Sequence, residues 1–447
     1  MNTTEKLADF VVNTKFDDIP AQGIRTAKNA MMDCTGCAFV GAKQEIGRII
    51  TDYVVDMGAL PISTVIGPKL KTSPEMAAFA NGIMAHAEDF DDICVAVLGH
   101  PSVPLFPAIL SLGEMLKASG RELIEAYVIG LEVAARIGIV LNGDHYARGW
   151  HGTSTTGTIG AAAASARLLK LDARRVRTAM GMAASQTAGL RQNFGTMTKP
   201  FHAGNAARSG VTSAMLAKRG FTADQDILEA PLGFFQVYRG NGFPPLESIV
   251  ENLGKTFEIV KTGIAFKLYS SCAETHSAIE IMLNMVQEHN LKQEDIKEIV
   301  CSFNNMMNSV MLHHNPQTGL EAKFSVEYCI ARALRDGKLM LDDFTDSRVN
   351  EQEIKNIIDR IVINIDDEIP FFATKIDVES TNGTKLSKRI ELPRGYPNNP
   401  LSQVEMVEKY RGCASLLLSK DNIDKSVSMF DNLEDVKDIS ELMKIIC

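Results

Sequence analysis

Residues 86 to 92 read His-Ala-Glu-Asp-Phe-Asp-Asp, which puts one histidine and four carboxylates into seven positions. Apolar, helix-patterned segments flank them on both sides. Charge at this density beside a core is costly unless each group is paired or used. Such a chain has two options. It can leave the stretch as a solvated acidic helix end, or it can fold basic and proton-carrying groups around it at the mouth of a cleft. If residues 85–92 were helical, His86, Asp89 and Asp92 would share one side. Gly99-His100-Pro101 follows after a short gap, ahead of a new helix.

At 447 residues the chain exceeds the usual single-domain size. Its net charge is −9, with no long basic run, which argues against a nucleic-acid or anionic-membrane surface. Positive partners for an anionic substrate must therefore be local. The N-terminus lacks a basic stretch followed by an apolar run, and apolar runs such as 137–141 are too short to span a bilayer. Eight scattered cysteines then fit reduced thiols and a cytoplasmic protein. Cys34 and Cys37 form a lone Cys-x-x-Cys with no second pair to complete a zinc site, so they read as core thiols.

The pattern is mainly helical up to about Gly263. Ile24, Ala27, Met31, Cys34 and Ala38 share a face, and helical segments follow at 104–116, 123–141, 153–171, 176–190 and 202–219. Gly157, Gly160 and Ala161–Ala164 let helices pack at short range. The texture changes near Lys261. Residues 296–303, 360–365, 375–380 and 387–392 read as strands, with Asn382-Gly383 as a turn between the last two. Helices at 276–289 and 324–335 make this an α+β unit. A final helical piece, 404–418, resembles the first half and is expected to return to it. The expected architecture is thus mainly α: a large helical domain (1–265 with 404–447) and a smaller inserted α+β lid (266–403).

Further stretches carry chemistry. His151 follows Gly149-Trp150 and precedes a helix cap, where the positive end of the dipole favours a neutral, base-competent imidazole. Lys199 precedes Pro200 and so marks the entry to a helix, with His202 beyond it. Lys267-Leu-Tyr-Ser-Ser-Cys272 lies at the expected domain junction, where clefts form. Glu321-Ala-Lys-Phe-Ser-Val-Glu-Tyr328 supplies Lys323 and Tyr328. Neither a His-x-x-x-His nor a paired-cysteine spacing accompanies the histidines near 86–100, so no metal is assigned. No glycine-rich phosphate loop is present.

In order, AHAEDFDD…GHPS, GWHGTST, GTMTKPFHAGNAA, FKLYSSC..TH and EAKFSVEY resemble the MmgE/PrpD family. That family includes 2-methylcitrate dehydratases, cis-aconitate decarboxylases and iminodisuccinate epimerases. The resemblance implies a helical domain with an α+β lid, a homodimer, no organic cofactor or metal, and a small polycarboxylate substrate. It places active-site roles on Asp89, His100, His151, Lys199, Lys267 and Tyr328; the expected catalytic groups are Asp89, His100, His151, Lys199 and Tyr328, and the expected substrate contacts Lys267, Cys272, His202 and Lys323. Two departures set the chain apart from decarboxylase members. Ile93 stands where they carry threonine, and Cys272 stands where they carry histidine. The expected chemistry is proton abstraction beside a carboxylate, with elimination of water first, epimerisation next and decarboxylation after these.

Overall fold

The computed structural model describes residues 2–239 and 244–447. Six long helices, Ala21–Lys43, Pro74–His86, Ser102–Leu116, Gly120–Ala147, Gly152–Leu168 and Thr198–Lys218, form most of the helical body. The first of the expected helices after Gly120 starts early because Ser119 caps it, its side chain and that of Glu122 each bonding the other's backbone N–H. Thr198–Lys218 packs closely on both Pro74–His86 and Gly152–Leu168. Glycines permit this. A Cβ on Gly204 would stand 2.3 Å from the Phe79 carbonyl oxygen, and one on Gly82 would stand 2.8 Å from Gly204 Cα. These helices therefore touch backbone to backbone.

The helix expected to reach residue 190 ends at Ala184 instead. Gly189 turns with φ +102°, and Leu190 bridges back to Trp150. That turn lets the Gly189 carbonyl accept the His151 N–H at 3.1 Å. A short hairpin, Ser63–Val65 with Leu70–Thr72, interrupts the helical half and had no clear signal in the sequence.

The α+β unit holds a four-stranded sheet. Its order is Ile361–Ile365, Ile296–Phe303, Thr374–Ser380, Lys385–Ile390, with the first pair parallel and the other two antiparallel. Gly383, at φ +86°, makes the expected turn. Helices His276–His289 and Val326–Asp336 cover the sheet with a separate apolar core that includes Ile279, Ile299, Ile330 and Ile376. Met406, Tyr410, Phe430 and Leu442 belong to the core of the helical body, so the last helices do return to it.

Between the two cores the backbone is stitched directly. Ile93 and Ala265 exchange hydrogen bonds at 2.9 and 2.8 Å, and Phe266 N–H donates to the Gly395 carbonyl at 2.9 Å. Because the helical body closes on glycines, Gly204→Ala should destabilise the protein by about 1–3 kcal/mol through overpacking. A urea unfolding curve with an unchanged m-value and a lowered midpoint is the expected result.

Candidate active site

The helix Pro74–His86 stops at the histidine, and residues 87–92 are not helical. The one-face arrangement expected of His86, Asp89 and Asp92 therefore does not occur. Asp89 instead takes φ +52°, a left-handed conformation that aspartate tolerates better than most residues. The segment is buried: Asp89 is 2% exposed, and Asp91 and Asp92 are inaccessible.

Each charge in it has a partner. Glu88 Oε2 meets Lys323 Nζ at 2.8 Å. Asp89 Oδ1 lies 2.6 Å from Lys199 Nζ and 3.1 Å from Lys267 Nζ. Asp91 sits between two imidazoles, 2.9 Å from His86 Nδ1 and 2.9 Å from His100 Nδ1. Asp92 accepts the Ser102 hydroxyl and its N–H. Three consecutive carbonyls are also held by lysines. Glu88 O accepts from Lys323 at 3.1 Å, Asp89 O from Lys267 at 2.9 Å, and Phe90 O from Lys409 at 2.7 Å.

Beside this segment a cavity of about 270 Å³ is lined by His100, His151, Lys199, Lys267, Cys272, Glu274 and Tyr146, with Ile93, Phe194, Phe371 and Phe372 among its apolar walls. His100 reaches it because Gly99 lies against the start of Gly152–Leu168. A Cβ there would stand 2.4 Å from Thr153 Oγ1, which accepts the His100 N–H at 2.9 Å. His151 is the N-cap residue of that helix. Its Nδ1 pairs with His202 Nδ1 at 3.1 Å, so one of the two imidazoles donates and the other accepts.

Electrostatics divide the groups. Burial alone would raise Asp89, but the Lys199 and Lys267 ammoniums hold it well below the usual carboxylate range. Asp91 is likewise kept ionised, against its burial, by His100 and His86. Burial drives the histidines the other way. His86 falls to about 4 despite Asp91, and His202 also falls to about 4. His151 is pushed well down by burial and by Lys199. His100 is lowered by burial, partly offset by Asp91. The imidazoles are thus neutral near pH 7. With Nδ1 directed at Asp91, His100 has Nε2 left as an acceptor, 3.5 Å from Asp89 Oδ1. A proton taken there would lie between two carboxylates.

Five of the residues picked from the sequence line the cavity: His100, His151, Lys199, Lys267 and Cys272. Asp89 stands behind the two lysines, and His202 supports His151. Two assignments need correction. Tyr328 is inaccessible in the second core, where its hydroxyl donates to the Asp343 carbonyl and accepts from Arg332 Nε at 3.1 Å. It cannot deliver a proton to the cavity. Lys323 spends its ammonium on Glu88 and on Ser270, whose carbonyl it reaches at 2.9 Å, so it shapes the loop and does not meet substrate. Cys272 lines the cavity, with its thiol donating to Glu274 Oε2 at 2.8 Å. Asp91 is the partner of two histidines. Tyr146 and Glu274 gave no sequence signal.

His86, Asp89, Asp91 and His100 bring one ligand atom each within 4.8 Å of one another, a grouping that would suit a divalent ion. Two ammoniums already bind Asp89 Oδ1, at 2.6 and 3.1 Å, and would repel a cation held on the same oxygen.

The MmgE/PrpD N-terminal domain matches residues 5–245 and the MmgE/PrpD C-terminal domain residues 269–435. Cis-aconitate decarboxylase of Homo sapiens is 29% identical over 458 residues, covering 99% of this chain and 94% of that protein. Cis-aconitate decarboxylase of Aspergillus terreus is 25% identical over 470 residues, covering 99% and 95%. Mitochondrial 2-methylcitrate dehydratase of Yarrowia lipolytica is 25% identical over 379 residues, covering 78% and 69%. Fold, site and relatives together define a lyase-type enzyme. The chain belongs to the MmgE/PrpD family.

Histidines buried neutral make stability depend on pH. His86 and His202 sit at about 4 and His276 at about 3 in the folded protein, against about 6.5 when unfolded. The unfolded chain therefore binds more protons between pH 6.5 and 4, and stability is lost as pH falls through that window. The expected loss is about 2 kcal/mol per histidine at pH 5. It should appear as a falling Tm in scans from pH 7.5 to 5.

Proposed function

We propose that this protein is a cofactor-independent enzyme that removes a proton beside a carboxylate of a small di- or tricarboxylic acid, with elimination of water as the outcome. The observation that carries the reading is the cavity wall itself. Two ammoniums sharing one aspartate stand beside neutral imidazoles, one of them backed by a carboxylate. Abstraction of an α-proton builds negative charge on carbon next to the substrate carboxylate, and that charge must be stabilised where it forms. Lys199 and Lys267 are fixed cations for this purpose. Their shared contact with Asp89 offsets their mutual repulsion and holds both in place before the substrate arrives.

His100 is the base in this reading. Its Nε2 carries a free lone pair near pH 7, and imidazolium formation is favoured by Asp91 against the opposition of burial, Lys267 and Lys199. His151 has Lys199, His86, His202 and His100 around it, all opposing a positive charge, so it remains neutral and acts as a hydrogen-bonding group. The departing hydroxyl would take its proton from the cavity. Tyr146, whose phenol burial and Glu274 keep protonated, lines the cavity and is the donor in this reading.

A second reading is decarboxylation, favoured by the similarity to cis-aconitate decarboxylases along nearly the whole chain. Ile93 and Cys272, the two departures from those members, both line the cavity and weigh against it. Epimerisation shares the first step and differs only in where the proton returns. Among the described residues no helix is long and apolar enough to cross a membrane. A cytoplasmic homodimer is the state we propose for the working enzyme.

Incubation with citrate-like and succinate-like acids in D2O, followed by NMR, separates the outcomes. Elimination yields an alkene, epimerisation yields deuterium at the α-carbon without loss of water, and decarboxylation releases carbon dioxide. Absence of all three with every acid would sink the proposal. His100→Asn should lower kcat by about 10²–10⁴-fold, the range for loss of a general base. Dialysis against a strong chelator should leave activity unchanged, and a loss restored by a divalent ion would overturn the lysine-based reading.

A further inference from the structure

Lys409 is a buried cation beside the acidic turn to which the chemistry above gives no task. It lies on the helix Gln403–Ala414, which packs against Ala21–Lys43 so closely that a Cβ on Gly36 would stand 3.3 Å from the Tyr410 ring. Between these helices Lys409 Nζ meets Asp33 Oδ1 at 2.7 Å, and the two side chains are only 6% and 2% exposed. Asp33 Oδ2 has no hydrogen-bond partner among the described residues. A buried ion pair with one oxygen left unpaired contributes little to stability, because desolvation offsets the attraction. Stability alone gives no reason for this pair.

The other contacts of the ammonium supply one. Nζ donates to the Phe90 carbonyl at 2.7 Å and stands 4.0 Å from the centroid of the Phe90 ring. That carbonyl belongs to the planar peptide joining Phe90 to Asp91. Holding its direction constrains ψ of Phe90 and φ of Asp91, and with them the direction in which the Asp91 carboxylate leaves the backbone. His100 Nδ1 rests on that carboxylate at 2.9 Å. On the other side of Phe90 stands Asp89, at φ +52°, with Lys199 and Lys267 on its carboxylate. Lys409 thus grips the residue between the two aspartates that place the cations and the base. Lys409, Asp33 and Phe90 themselves do not line the cavity.

We propose that Lys409, aligned by Asp33, is a positioning residue of the active site: by holding the Phe90 carbonyl it sets where Asp89 and Asp91 stand, and hence the arrangement of Lys199, Lys267 and His100 that receives the acid. This rests on the reading of the cavity as a site for small acids. The site is then loosened from outside the cavity, with every group that touches the acid left intact.

Titration calorimetry on the full-length protein at pH 7.5, with succinate and citrate as probes, tests this by separating affinity from active fraction. Lys409→Met should bind the acid that the wild type holds more tightly at least tenfold more weakly, with the stoichiometry per folded molecule unchanged. The double variant Asp33→Asn/Lys409→Met loses both charges and keeps the net charge of the wild type. It should recover most of the melting temperature lost in Lys409→Met, yet bind as weakly as the single variant. Wild-type affinity in the double variant reduces Lys409 to a structural or electrostatic part and overturns the inference, leaving the acid site standing. So does wild-type affinity in folded Lys409→Met. Phe90→Leu, at a half-buried position, alters no charge and removes the ring beneath the ammonium. It should weaken binding at least threefold, and it carries the test if neither Lys409 variant folds, wild-type affinity then overturning the inference. If the wild type binds neither acid, the inference falls together with the reading it rests on.

Discussion

The structure depends on neutralising one acidic turn inside the protein. Between Glu88 and Asp92 the backbone leaves the helical body, passes through a left-handed aspartate, and enters the strand-like bridge to Ala265. Such a path survives in a buried place only because its surroundings over-determine it. Lys323, Lys267 and Lys409 each hold one of three successive carbonyls. Lys267 and Lys199 hold the side chain of the middle residue as well. The bonds that fix the loop thus also fix where the cations stand. Fold and site share the same interactions.

This explains how an acidic protein can present a basic cavity. Net charge is −9, yet the charge that an anion meets is set by two ammoniums within hydrogen-bond reach of one aspartate and by histidines that burial keeps neutral. Lys409 extends the pattern outward, pairing with buried Asp33 at 2.7 Å while its ammonium sits 4.0 Å above the Phe90 ring. The helical body, through Asp33 and through Lys199, thereby helps to position a loop whose other clamps, Lys267 and Lys323, lie in residues 266–403.

Much of the architecture was legible from periodicity. The strand 296–303 and the helix 276–289 fall where the pattern puts them, because one apolar face in each is long and unbroken. The turn at Asn382-Gly383 was readable because a positive φ needs glycine there. In the site, motif order brought five residues to one cavity. The pattern failed where chemistry depends on contacts between distant segments. Tyr328 and Lys323 look like functional groups in the sequence, and only the Asp343 carbonyl and the Glu88 carboxylate reveal that they are already engaged. The place of Asp91 between two histidines escapes a helical projection because the helix ends at His86. Glu274 carries no motif, although it lines the cavity.

The lysines that clasp the acidic turn lie far along the chain from it. Lys199 follows Asp89 by 110 residues, Lys267 by 178, Lys323 follows Glu88 by 235, and Lys409 follows Phe90 by 319. Contacts of such long sequence separation close late, because the intervening chain must be ordered first. During synthesis the helices before the turn can pack while the turn itself still faces water. The cavity therefore takes its final form only once the helix bearing Lys409 has docked. A chain without that helix would hold the acidic turn one clamp short.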